Sequence, residues 1–173
     1  MVTIKPITSE AVAGFKAVRL AALQDTPSAF GSTYAKESLL SDAQWEQRLA
    51  KWNGDRSVCY LAWNKDRPCG IAAGFLDQDD ATQAHLVSMW VAPSHRGRGV
   101  GRLLVDGIID WARGQHAENL RLTVTSNNDV ANRFYERMGF TMTGNTQAFA
   151  NDPALMELEM IRPIGPDGGI VAE

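Results

Sequence analysis

The chain has 173 residues, about the length of one folding unit, of which 45% are apolar and 21% charged. That mixture excludes a disordered polar chain and a large multidomain assembly. With 17 Lys and Arg against 20 Asp and Glu the formal charge is −3, so the basic footprint of a nucleic-acid binder is absent.

Val2 to Ile7 alternates like a short strand, and Thr8/Ser9 offer an N-cap for a helix with Val12, Phe15, Val18/Arg19 and Ala22/Leu23 on one stripe. Pro27-Ser28-Ala29-Phe30-Gly31 breaks that helix. Ser41-Asp42-Ala43-Gln44 reads as a capping box opening a second helix through Trp45, Leu49 and Trp52, closed by Asn53-Gly54. Three β-like runs follow, Ser57–Trp63, Gly70–Leu76 and His85–Ala92, which read as an antiparallel meander. If the first turn centres on Lys65-Asp66, Cys59 faces Ala72 and Cys69 faces Ala62, an offset of roughly 10 Å that forbids a disulfide. The two cysteines and three histidines form no ligand cluster, so no metal is expected.

After Pro93 the spacing turns helical, with Val100, Leu103, Leu104, Gly107, Ile108 and Trp111 on one face and an end near Gly114. Leu120–Val124 is a short strand, and the intervening helix implies a right-handed crossover that sets it parallel to His85–Ala92. Asn127/Asn128 cap a further helix bearing Val130, Ala131, Phe134, Tyr135 and Met138, with Gly139 just past its end. Phe140–Phe149 and Ala154–Ile161 read as a final hairpin. The expected organisation is one domain over residues 1–163 and a loose tail over 164–173. No window approaches the roughly 18 apolar residues of a membrane span, and the start lacks a basic region followed by an apolar stretch. A soluble, cytoplasmic chain without a membrane partner is expected.

The most informative stretch is Val91-Ala92-Pro93-Ser94-His95-Arg96-Gly97-Arg98-Gly99-Val100-Gly101, a strand, a turn with three glycines and a helix start. Glycines at such a junction let backbone N–H groups converge, and the helix dipole adds positive potential, which together cradle a phosphate or pyrophosphate. Arg96, Arg98 and Arg102 add charge. The dinucleotide fingerprint G-x-G-x-x-G and the P-loop pattern both fail here, which leaves Arg96-x-x-Gly99-x-Gly101.

This motif resembles the pyrophosphate loop, R/Q-x-x-G-x-G/A, of the GNAT superfamily of N-acetyltransferases. Downstream, Asn128-Asp129-Val130-Ala131-Asn132-Arg133-Phe134-Tyr135-Glu136-Arg137-Met138-Gly139-Phe140 is similar to that family's N-x-x-A-x-x-x-Y-x-x-x-G-F. The resemblance covers about Val2 to Ile161. It implies an α/β (α+β) GNAT fold: a mixed sheet of about seven strands, an antiparallel N-terminal meander, a parallel fourth and fifth strand joined by a crossover helix, and about four helices.

It implies acetyl-CoA as cosubstrate and a primary amine of a small-molecule or amino-acid-like acceptor, with a protein N-terminal or lysine acetyltransferase and a non-catalytic acyl-CoA-binding module as alternatives. The cofactor would be held by Met89, Val91, Arg96, Gly97, Arg98, Gly99, Val100, Gly101, Arg102, Asn128, Asn132 and Tyr135. In that scheme the Met89 N–H serves the oxyanion, the Val91 main chain holds the pantetheine, and the Tyr135 phenol reprotonates the leaving thiolate. Asn128 also reads as a plain helix cap, and Tyr135 as an aromatic of the buried stripe. Counting back eleven residues from Arg96 reaches His85 where histone-type members carry a glutamate base. An imidazole can take that proton, with Glu37, Glu157 or a water chain as competitors. The acceptor pocket falls on Phe30, Tyr34 and Trp45, with Gln147 and Phe149 from the last hairpin, although Trp45 also fits a packing role. Relatives pair through sheet edges or that hairpin, so a homodimer is within the expectation.

Overall fold

The computed structural model describes residues 1–166. Seven strands form one sheet in the order β1-β2-β3-β4-β5-β7-β6. They are β1 (Val2–Pro6), β2 (Ser57–Asn64), β3 (Arg67–Leu76), β4 (Gln83–Val91), β5 (Asn119–Thr125), β6 (Thr141–Phe149) and β7 (Asp152–Pro163). The helices are α1 (Val12–Asp25), a single turn α2 (Tyr34–Glu37), α3 (Asp42–Lys51), α4 (Val100–Gly114) and α5 (Asp129–Arg137). All neighbours pair antiparallel except β4 and β5, which run parallel as the crossover requires.

Two apolar layers sandwich the sheet. Phe15, Val18, Ala22 and Leu23 of α1 with Trp45 and Leu49 of α3 pack on Cys59, Leu61, Ile71 and Ala73. On the other face Val100, Leu104, Val105, Ile108, Ile109 and Ala112 of α4 pack on Val58, Ala62, Ala72 and Leu86. The buried stripe of α4 is thus rotated from the expected one, and Leu103 is exposed. Among the described residues no helix is long and apolar enough to cross a membrane.

The local chemistry explains most boundaries. The Ser41/Gln44 capping box forms in both directions, Gln44 N donating to Ser41 Oγ at 3.2 Å and Ser41 N to Gln44 Oε1 at 2.9 Å. Asn128 Oδ1 accepts from Ala131 N at 3.1 Å, and Gly139 ends α5 at φ +89°. At α1, by contrast, neither Thr8 nor Ser9 caps through its side chain, because a 3-10 turn over Ser9–Ala11 leads into the helix instead.

Two bulges shift what strict alternation would give. The Lys65-Asp66 turn sits where expected, but the register slips between Ala62 and Trp63, so Cys59 faces Ala73 and Ala62 faces Gly70. The two thiols remain free and buried. In β4 the register with β3 slips between Ile71 and Ala73, opposite Ser88, whose φ is +55°. Ala84 and Leu86 join the α4-side core before this point, whereas Met89 and Val91 join it after, so one extra residue inverts the phase of the strand.

The tail boundary also moves. Ile164 is fully buried, its N donates to Glu118 O at 2.8 Å, and its O accepts from Arg113 Nε at 2.9 Å. Packing therefore continues past Pro163, and residues 167–173 of the expected tail lie outside the described residues.

Candidate active site

The parallel pairing of β4 with β5 lasts only three residues, Gln83–His85 against Asn119–Arg121. Beyond it β5 stays paired with β7 as far as Thr125 against Glu157, so the edge of β4 from Leu86 onward has no ladder partner on that side. The gap is a cleft of about 290 Å³. Leu86–Met89 form one wall, and Leu122–Thr125 with Tyr135 and Glu157 form the other. The Ser28–Gly31 loop and Arg19 join the lining.

A glycine cradle adjoins the cleft. Gly97 and Gly99 adopt φ of +72° and +82°, and a Cβ on either would meet nothing within 4 Å, so the loop is left-handed and open. Gly99 is the N-cap of α4 and sets the positive end of its dipole at this opening. Gly101 serves a different purpose: a Cβ there would lie 3.1 Å from Phe134 Cζ and 3.3 Å from Met89 Cε, so its absence lets α5 and the cleft wall close on α4.

The arginines divide. Arg98 and Arg102 are exposed, and neither enters an ion pair among the described residues. Arg96 is committed elsewhere, because its Nε donates to Val91 O at 2.9 Å and its Nη2 to Asp25 Oδ2. The Val91 carbonyl thereby accepts one hydrogen bond from Arg96, and the Arg96 charge is matched by Asp25 at the end of α1. Trp90 Nε1 donates to the same Asp25 oxygen at 2.9 Å. Burial opposes the Asp25 charge, but hydrogen bonds from Trp90, Thr26 and Arg96 outweigh it and hold the carboxyl below its usual range.

Tyr135 is buried between Phe134 and Phe140 in edge-on contacts, with ring centroids 5.2 and 5.7 Å away. Burial pushes its phenol well above the ordinary value. Asn128 lines the cleft while capping α5. Asn132 Oδ1 and Thr125 Oγ1 are buried without a protein partner among the described residues. Two unpartnered polar atoms and an open, left-handed glycine loop fit a long polar ligand that carries phosphates.

Several expected residues lie away from this centre. His85 is outside the cleft lining, its Nε2 2.9 Å from Asp77 Oδ2 and its ring stacked on Phe75 at 4.9 Å. Glu37 is fully buried, gripped by Arg19 and Arg48, and does not line the cleft. Trp45 is fully buried edge-on against Phe15, and Tyr34 is 39% exposed on α2, so neither lines the cleft. Phe149 is buried off the cleft, whereas Phe30 lines it. Gln147 Nε2 donates to Glu157 Oε2.

Arg19 and Ser88 were not foreseen in the site. Arg19 Nη1 donates to Ser88 Oγ at 3.1 Å, and its guanidinium lies 5.0 Å over the Phe30 ring. The available signal was a charge inside the apolar stripe of α1, a placement that needs a buried partner. The Ser88 bulge left no comparable mark.

A sheet split beside an open glycine loop at a helix start leaves room for a phosphate-bearing ligand along one strand. By sequence, residues 20–140 match the model of the acetyltransferase (GNAT) family, and the chain belongs to that family. It is 35% identical over 91 residues to streptothricin acetyltransferase of Streptomyces lavendulae, covering 53% of this chain and 39% of that protein. It is 32% identical over 105 residues to the peptidyl-lysine N-acetyltransferase YjaB of Salmonella typhimurium, covering 61% and 64%. Each match thus spans less than two thirds of the relative. Among solved structures, an acetyltransferase of the GNAT family from Streptococcus pneumoniae superimposes with a TM-score of 0.78 at 23% identity, over 95% of this chain and 100% of that one.

Proposed function

We propose that the chain transfers the acetyl group of acetyl-CoA to a primary amine of a small-molecule, amino-acid-like acceptor by direct attack. The observation that carries this reading is the cleft itself, with the buried Tyr135 phenol and the Glu157 carboxylate on its walls and Met89 linking it to the glycine cradle. Acetyl-CoA supplies a thioester whose carbonyl an amine can attack and whose thiolate can depart.

The protein's part follows from its residues. Gly97, Gly99 and the α4 N-terminus receive the pyrophosphate, with Arg98 and Arg102 as flanking charge. Asn128 and Asn132 hold the pantetheine side, and the Met89 N–H at the unpaired strand edge polarises the carbonyl. A phenol raised by burial stays protonated at neutral pH, so Tyr135 holds the proton that the thiolate takes up. The acceptor's ammonium must lose a proton before it attacks. Glu157, the carboxylate that lines the cleft, takes this role in place of His85.

A tethered loop at the cleft favours a small amine over a peptide. Asn151, in the turn between β6 and β7, donates through Nδ2 to Phe30 O at 3.2 Å and ties the hairpin tip to the Ser28–Gly31 loop. Thiol release from acetyl-CoA across polyamines, amino acids, aminoglycosides, aryl amines and short peptides tests the reading. Release with one class of small amine is the expected result; release with peptides alone would replace the acceptor, and silence across the panel would leave an acceptor outside it or a non-catalytic acyl-CoA-binding module.

A further inference from the structure

Beside the cleft, on the face of the sheet covered by α1 and α3, lies a second cavity of about 480 Å³, within the size range of small-molecule sites. Its polar wall is Arg19, Arg48, Lys51, Ser57 and Ser88, and no carboxylate lines it among the described residues. Its apolar lining includes the aromatic rings of Phe15, Trp52 and Phe75.

The charge behind that wall is incompletely balanced. Glu37 is the buried carboxylate between the two guanidinium groups, accepting from Arg19 Nε at 3.1 and 3.2 Å and from Arg48 Nη1. One carboxylate against two arginines and Lys51 leaves two positive charges at the cavity. Each guanidinium carries five N–H donors. Arg19 uses Nε on Glu37 and Nη1 on Ser88, and Arg48 uses Nη1 on Glu37, so both retain donors. The Arg19 side chain is only 13% exposed, and the one buried carboxylate it meets is shared with Arg48, so the pair together carries more positive than negative charge.

Arg19 and Ser88 line both cavities, so the two share a wall at the β4 bulge. We propose that the second cavity is a carboxylate-binding half of the acceptor site, so that the acceptor is an amine that also bears a carboxylate on an aryl or alkyl body. The assignment of the amine rests on the acetyltransferase reading; the carboxylate site does not. Glu37 already demonstrates which anion this arginine pair grips, and the aromatic lining receives the body that joins acid to amine.

The decisive experiment is calorimetric titration of the intact chain with 4-phenylbutyrate and with its neutral amide, 4-phenylbutyramide. The acid should bind at least about tenfold more tightly than the amide. Lys51→Gln, at an exposed position, should weaken binding of the acid while leaving the amide unchanged, and Lys51→Arg should restore it. Equal affinity for acid and amide, or an acid affinity unchanged by Lys51→Gln in a chain with an unaltered melting temperature, overturns the proposal. Binding decides it whatever the thiol assay gives. Absence of thiol release from acetyl-CoA with both phenylalanine and phenylalaninamide counts against the transferase reading alone.

Discussion

Tyr135 combines a packing role with an unpartnered hydroxyl, and the two can be separated by one substitution. Its ring sits edge-on to Phe134 and Phe140, while no hydrogen bond to its hydroxyl is formed among the described residues. Tyr135→Phe therefore keeps the contacts and leaves no buried group newly unsatisfied. Melting temperature should barely change and the KM for acetyl-CoA should hold, while kcat falls about 100-fold or more, the range of a lost general acid. Steady-state kinetics beside a thermal melt read both; an unchanged kcat would take Tyr135 out of the chemistry. Gly99 poses the complementary case, because its φ of +82° penalises any side chain by about 1–2 kcal/mol even though the space around it is open. Gly99→Ala and Gly99→Trp share that backbone cost, so their difference isolates the volume of the cradle. Acetyl-CoA binding, measured by calorimetry, should survive largely in the first and be lost in the second.

At the scale of elements, α1 is tied to the cradle through one carboxylate at its end. Asp25 accepts from Trp90 on β4 and from Arg96 at the entry to the glycine loop, and Arg96 in turn holds Val91 O. Asp25→Asn keeps the shape and removes the charge, and should cost about 1–2 kcal/mol at neutral pH. The sign with pH follows from the lowered carboxyl: its stabilisation is present above the unfolded value of 3.8 and is lost as pH falls through the lower folded value. Denaturation midpoints of parent and variant should thus differ most near pH 7 and converge as pH falls below 3.8. A constant gap would place the effect in packing rather than charge. The same segment marks what the sequence could reveal. Caps, the glycine loop and the α5 signature are local, so Ser41, Asn128, Gly99 and Gly139 could be assigned from their neighbours alone. The inverted phase of β4 at Ser88, the grip of Arg19 and Arg48 on Glu37 and the commitment of Arg96 to Asp25 all arise between distant residues. Period-2 alternation carries no mark of one extra residue, and a run of charges does not name its partner.

For the whole molecule, the order of the sheet makes the C-terminal strand essential to the site. β7 lies between β5 and β6, pairs with both, and brings Glu157 opposite Thr125 at the cleft. The cleft therefore cannot be completed until the end of the chain is in place, a long-range requirement of the kind that slows folding. What fixes that end is Ile164, one residue past β7, buried in the α4-side core and bonded through its main chain to Glu118 and Arg113. Removing its side chain opens a cavity beside α4, and Ile164→Ala should cost about 2–5 kcal/mol, the range for such core truncations. Ending the chain after Pro163 removes the two main-chain bonds as well, so it should be less stable still. Urea denaturation gives the three midpoints. If all three coincide, the ordered unit ends at β7, where the sequence reading places the start of the ten-residue tail. If they separate in the stated order, Ile164 is the residue that closes the sheet, and thermal loss of thiol-releasing activity should follow the same ranking because Glu157 is carried on the strand it anchors.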